Sequence, residues 1–164
     1  MRHKIFLFLS STLFILLFAA CSNKQVLDEE RVFNRGIWNR FTPEVFSFDV
    51  PDAEDFYHID ITFVIDTALY RYTEVPLTLN LESPAGEKRF IPTTVPLKEH
   101  GRWRGEMRDG YRVVTGRTRS YFSFNHTGTH YLAVGQRTSQ YDLEGVRGMT
   151  VNITKAKIDY SHLD

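Results

Sequence analysis

Tyr57, Ile59, Ile61, Phe63 and Ile65 occupy every second position, and His58, Asp60, Thr62 and Asp66 stand against them on the intervening ones. A period of two puts the apolar set on one face of an extended chain and the polar set on the other, the pattern of a half-buried antiparallel strand. Phe46, Phe48 and Val50 alternate with Ser47 and Asp49 before Pro51-Asp52 breaks the run. Leu77, Leu79 and Leu81 repeat the arrangement ahead of the turn residues Ser83-Pro84-Ala85-Gly86. Shorter strand candidates cover 88–91, 111–115, 120–124, 130–134 and 150–155. No amphipathic helix of useful length is present. Prolines punctuate the first two-thirds of the chain and glycines the remainder, so the strands are short and closely spaced. The pattern predicts an all-β fold, an antiparallel two-sheet β-sandwich, immunoglobulin-like or jelly-roll-like, of about seven to nine strands. It contains no internal repeat.

The N-terminus departs from this pattern. Arg2 and Lys4 precede an apolar run from Ile5 to Phe18, and Ala19-Ala20 leads directly to Cys21, the one cysteine of the chain. A basic start, an apolar core and small residues before a cysteine are the parts of a lipoprotein export signal. Its apolar run of 14 residues would make a helix of about 21 Å, short of the roughly 30 Å a permanent span must cross. An ordinary secretory signal with an incidental cysteine is the plainer alternative, but the position of Cys21 at the cleavage point favours lipidation. The expected organisation is a cleaved lipoprotein signal peptide over 1–20, a lipidated N-terminus and tether over 21–35, and a single β-sandwich domain over 36–160. The tether is expected to meet the sheet through a short strand near Val32.

Charge and cysteine content then exclude several classes. Cleavage after residue 20 leaves 144 of the 164 residues, enough for one domain with a sizeable core. The leader holds two of the 20 basic residues and none of the 20 acidic ones, so the remainder carries 18 against 20, a net −2 with histidines neutral. That balance gives no support for nucleic-acid binding or for a polybasic hold on anionic lipid. With Cys21 acylated, no thiol is left for a disulfide, a zinc-thiolate site or a nucleophile.

Candidate chemistry is sparse. His126 and His130 could share a face of an extended chain as metal ligands, but no third ligand stands near them, and a turn leading into a strand explains them more simply. Asp60, Asp66, Glu82 and Glu87 could pair as glycosidase carboxylates, yet each reads first as a solvated outward-facing residue. No serine lies in a G-x-S-x-G context and no glycine-rich phosphate loop is present. These observations predict no catalytic residues, no metal and no cofactor.

Aromatic residues make up 14% of the chain, and Trp38, Tyr70, Tyr72, Trp103, Tyr111 and Tyr121 sit where burial is not assured. Tyr70-Arg71-Tyr72 is the better surface candidate, able to contact a protein partner or a glycan, with Arg71 free to stack or to pair with an acidic group. Trp103, between Gly101 and Gly105, is expected to pack in the core or at an inter-sheet edge, in a tight turn where the glycines take positive φ. Were the indole buried, Trp103→Ala would cost roughly 3 to 5 kcal/mol.

The order of these features along the chain resembles the GldH family of gliding-motility lipoproteins of Bacteroidetes. The likeness runs from Cys21 through Trp38, Phe46-Ser47-Phe48 and the Tyr57-to-Asp66 strand into Tyr70-Arg71-Tyr72. It continues through Leu77-Thr78-Leu79, the G-x-W-x-G segment from Gly101 to Gly105, and Gly128, Tyr131, Gln136, Leu143, Gly145-Val146 and Gly148. It departs after Gln136, where Arg137-Thr138 replaces a Met-Arg pair. The resemblance implies a part in the gliding machinery or an associated cell-envelope apparatus, and no catalysis. It supplies no functional residues to carry over. Ser22-Asn23-Lys24-Gln25 lacks the acidic residues that tend to mark surface-exported lipoproteins of that phylum, which favours a domain facing the periplasm; the expected location of the anchor is the outer membrane.

The leading expectation is therefore a lipid-anchored, non-enzymatic envelope protein acting through protein contacts. The alternative is a glycan-binding sandwich that uses its exposed aromatics, with Tyr70, Tyr72 and Trp103 as the candidates.

Overall fold

The computed structural model describes residues 25–157. The strands in chain order are β1 (Gln25–Val32), β2 (Ile37–Asn39), β3 (Glu44–Val50), β4 (Tyr57–Ile65), β5 (Glu74–Glu82), β6 (Lys88–Pro96) and β7 (Lys98–Glu99). They continue with β8 (Arg102–Trp103), β9 (Glu106–Arg108), β10 (Tyr111–Phe122), β11 (Gly128–Gln136), β12 (Asp142–Glu144) and β13 (Val146–Lys155). One sheet has the order β1-β13-β4-β10-β9 and the other β3-β11-β5-β6; β2 with β12, and β7 with β8, form two small ribbons. All pairings are antiparallel.

Among the longer strands, the first, last, third and sixth in chain order share one sheet, and the second, seventh, fourth and fifth share the other. That winding is the jelly roll, one of the two sandwich forms the alternation allowed. The predicted period-two runs supply its core. Tyr57, Ile59, Ile61, Phe63 and Ile65 of β4 meet Met149, Val151 and Ile153 of β13 on one inner face; Phe46, Phe48, Leu77, Leu79, Leu132 and Val134 line the other, all buried.

Arginines close the two open sides between the sheets. On one side, Arg31 of β1 donates from Nη2 to the Val45 carbonyl of β3 at 2.9 Å, with its guanidinium 4.4 Å from the centre of the Phe46 ring. On the other, Arg89 of β6 donates to the Ser123 and Phe124 carbonyls at 3.0 and 3.1 Å. Free edges of a sheet invite pairing with foreign strands, and β6 blunts its own with Pro92 and Pro96, which have no N–H to offer.

Two expectations need correction here. Gln25–Val32 was expected to lie mostly within a tether, but it forms an edge strand paired with β13 along its length, with Leu27 buried. Among the described residues the sandwich therefore begins at Gln25. The candidate strands over 111–115 and 120–124 are one strand, β10, interrupted by irregularities between Arg117 and Phe122. Cys21 and the leader lie outside the described residues, as does the C-terminal limit at residue 160.

Candidate functional site

The register fixes two ends of the sandwich. Gln25 pairs with Thr154, and Thr154 with His58, at one end; Val146 pairs with Ile65, and Gly148 with Val64 and Val32, at the other. Tyr70, Arg71 and Tyr72 lie at this second end. Beyond Ile65, Asp66 donates its N–H to the Gly145 carbonyl at 2.8 Å, accepts the N–H of Tyr70 on its own carbonyl at 2.9 Å, and takes the Ala68 N–H on its side chain at 3.1 Å.

This helical-type turn rotates Tyr70 inward. Its side chain is 3% exposed and its hydroxyl donates to the Glu74 carbonyl at 2.8 Å. Burial, then the neighbouring Tyr72 and Glu74, push its hydroxyl well above the ordinary tyrosine range. Tyr70 is thus a core residue and not a surface contact, because the turn replaces the strand alternation that would have left it outside.

Arg71 is exposed, and Tyr72 is half-buried, edge-on to Tyr70 with ring centres 5.7 Å apart. Both line an open hollow of about 330 Å³ with Leu69, Gln140, Asp142 and Glu144. Phe41 and Tyr141 stand beside it, 70% and 67% exposed, with ring centres 5.6 Å apart. They are held by the Arg40 N–H on the Tyr141 carbonyl at 2.7 Å and by Asn39 Nδ2 on Asp142 Oδ1 at 2.7 Å. Neither aromatic stood out in the sequence; each is a single apolar residue in a polar turn, and only pairing across β2 and β12 brings them together.

Trp103 occupies a different place. His100 and Gly101 make the turn between β7 and β8, and the φ values of Gly101 and Gly105, 77° and 69°, are positive as expected. A Cβ on Gly105 would fall 1.9 Å from the Val113 carbonyl oxygen, so the chain can approach β10 there only as glycine. The indole is partly buried against the core, with Lys98 Nζ 4.3 Å from its centre. It borders its own hollow with Glu99, His100, Arg102 and Arg104. Tyr72 and Trp103 therefore line separate hollows.

The titratable candidates are each held by structural partners. Asp60 binds Arg117 through both carboxylate oxygens at 2.8 and 3.0 Å. Glu82 pairs with Lys88 at 3.3 Å and Glu87 with His126 at 3.4 Å. His130 is fully buried against Phe48 and Phe124, its Nδ1 3.0 Å from the Gly128 carbonyl. His126 and His130 thus face different neighbours, and no group of three or more potential metal ligands occurs among the described residues.

No curated protein matches the chain. Among solved structures, a carbohydrate-binding module specific for non-crystalline cellulose, CBM28, is similar at 14% identity and TM-score 0.47, over 81% of this chain and 76% of that one. A family 35 carbohydrate-binding module from an environmental isolate is similar at 9% identity and TM-score 0.36, over 85% and 96%. A serine protease of Aeromonas sobria is similar at 11% identity and TM-score 0.38, over 80% of this chain and 27% of that one. At such identities and scores these likenesses assign no function. The family model described as GldH lipoprotein matches residues 25–153, nearly the whole described sandwich from β1 into β13. The chain belongs to the GldH lipoprotein family.

Proposed function

We propose that the protein is held to the cell envelope by a lipid on Cys21 and contributes, without catalysis, to a gliding-motility or associated envelope machinery through protein contacts. The observation that carries this reading is the family match from residue 25, just downstream of a cysteine placed as a lipoprotein acylation site. Several acyl chains on one N-terminus hold a protein stably where one alone holds it marginally.

The geometry favours a particular contact surface. With β1 starting at Gln25, the segment from Cys21 spans at most about 14 Å when extended, so the Gln25 end of the sandwich stays near the membrane. β1 extends a further ~27 Å, and the end bearing Leu69, Arg71, Tyr72, Phe41 and Tyr141 points the other way. Exposed aromatics beside an arginine with no acidic partner among the described residues are the composition of interface hot spots. Anchoring also raises the local concentration of the domain for neighbours in the same membrane, so modest contacts suffice. The short polar stretch after Cys21, free of acidic residues, favours an outer-membrane anchor with the domain in the periplasm.

The test is a crosslinking pull-down from native envelope, comparing the full-length acylated protein with Cys21→Ser. Envelope-motor or secretion components recovered only with the acylated form are expected. Recovery of no protein partner by either form contradicts the reading.

A further inference from the structure

The outer face of the four-stranded sheet carries a second feature, distant from the contact surface above. The register places Val45, Ala133, Asn80 and Phe90 in one row across β3, β11, β5 and β6, and Ser47, Tyr131, Glu82 and Lys88 in the next. Phe90 is 70% exposed and Tyr131 50% exposed. Between them Ala133 and Asn80 leave a hollow of about 400 Å³, lined also by Val45, Glu82 and Lys88, within the ~300 to 1,000 Å³ typical of small-ligand sites.

The floor of this hollow is polar in a specific way. Asn80 lines the hollow, and its Oδ1 is buried with no hydrogen-bond partner among the described residues. An unpaired buried amide oxygen costs free energy, which a turn of the carboxamide toward a ligand donor in the hollow would recover. The charges around it are already committed: Glu82 pairs with Lys88 at 3.3 Å, and Arg89 spends its guanidinium on the Ser123 and Phe124 carbonyls while lying 4.6 Å from the centre of the Phe122 ring. Among the described residues, each cation lining the hollow already has a carboxylate or carbonyl partner.

We infer that this hollow binds an uncharged saccharide, with the Tyr131 and Phe90 rings packed on sugar faces and the Asn80 carboxamide hydrogen-bonded to ring hydroxyls. A sugar ring presents weakly positive C–H groups on its faces, which suit the negative face of an aromatic ring, and hydroxyls around its rim, which suit an amide. A protein partner would want an apolar centre and a charged rim with free valences; this centre is an amide and its rim charges are paired. Tyr131 and Phe90 lie two strands apart in adjacent rows, so two rings of one glycan chain can engage them while a third group reaches Asn80. This site is independent of the contacts proposed for the opposite end, and either can fail without the other.

The test uses the full-length acylated protein in detergent micelles and a panel of short neutral oligosaccharides built from glucose, xylose, mannose, galactose and N-acetylglucosamine in α and β linkages. Binding is read by calorimetry. At least one member is expected to bind, with affinity falling about tenfold in Tyr131→Ala, in Phe90→Ala and in Asn80→Leu. Tyr121→Ala, which removes a comparably exposed aromatic on the other sheet, is expected to leave affinity unchanged. Thermal melts check that all four variants stay folded. Failure of every oligosaccharide to bind overturns the inference. So does binding that survives the three variants or falls equally in Tyr121→Ala, as does photocrosslinking from position 90 that captures only protein.

Discussion

Gly145 and Tyr70 approach so closely that a Cβ on the glycine would lie 2.6 Å from the Tyr70 backbone nitrogen, with the Gly145 φ at +86°. Space and backbone conformation therefore make the same demand at this point. The turn that buries Tyr70 exists because residue 145 has no side chain, and the same turn leaves Arg71 and Tyr72 facing the hollow at the outer end. Gly145→Ala is expected to destabilise the domain by at least about 1 to 3 kcal/mol from backbone strain alone, with the steric clash adding to it. Denaturant unfolding monitored by tryptophan fluorescence measures the loss.

The two tryptophans should respond differently to truncation. Trp38 is 1% exposed, stacked on Phe33 at 5.1 Å, and donates Nε1 to the Thr42 carbonyl at 3.3 Å. Trp38→Ala is expected to cost roughly 3 to 5 kcal/mol. Trp103 is only partly buried, so Trp103→Ala is expected to cost less, about 1 to 3 kcal/mol. Equal shifts in the two thermal melts would contradict this ordering.

Alkaline pH should weaken the fold through its buried tyrosines. Burial raises the Tyr70 hydroxyl, and burial with Asp55 nearby raises that of Tyr57. A folded value above the unfolded one means that the neutral form is favoured by folding. The stabilisation is complete below about pH 10, the ordinary tyrosine value, and is lost as pH climbs from there through the raised folded values. Tyr70→Phe removes one such group, so the difference in unfolding midpoint between pH 8 and pH 11 is expected to shrink in that variant. A pH dependence unchanged by Tyr70→Phe would assign the alkaline loss to other groups.

The Asp60–Arg117 pair, on the outer face of the five-stranded sheet, joins β4 to β10 through two parallel hydrogen bonds at 2.8 and 3.0 Å. Its arginine side chain is half exposed, which screens the attraction. A double-mutant cycle with Asp60→Asn and Arg117→Gln is expected to give a coupling of about 0.2 to 1 kcal/mol that falls with added salt. A coupling insensitive to salt would contradict the solvent-screened assignment.

Strands whose inner positions are uniformly apolar were legible from the alternation, β4 above all. β1 was not, because its inward positions are Leu27, Glu29 and Arg31, opposite Ile153, Val151 and Met149. Glu29 pairs with Arg31 at 3.0 Å, and Arg31 covers Phe46. A charged pair closing an open side of the sandwich reads in the sequence as a polar tether. β10 was read as two pieces because Gly116 and Thr118 take inner positions where an apolar residue would have continued the pattern. One candidate contact suffered the converse error. Tyr70 sits in a polar stretch and so looked exposed, while the turn that buries it depends on Gly145, far away in sequence. Phe90 and Tyr131 look like interior positions of apolar strands, and only the sheet register shows them facing out.

The central claim is that the anchored sandwich works within an assembly, and its native mass after mild detergent extraction tests that most directly. Mass photometry of full-length acylated protein purified from its own envelope is predicted to show a complex heavier than the detergent-bound monomer. Arg71→Glu, at the outer end, is predicted to return it to monomer mass while the thermal melt stays unchanged. A wild-type protein found only at monomer mass would contradict the account.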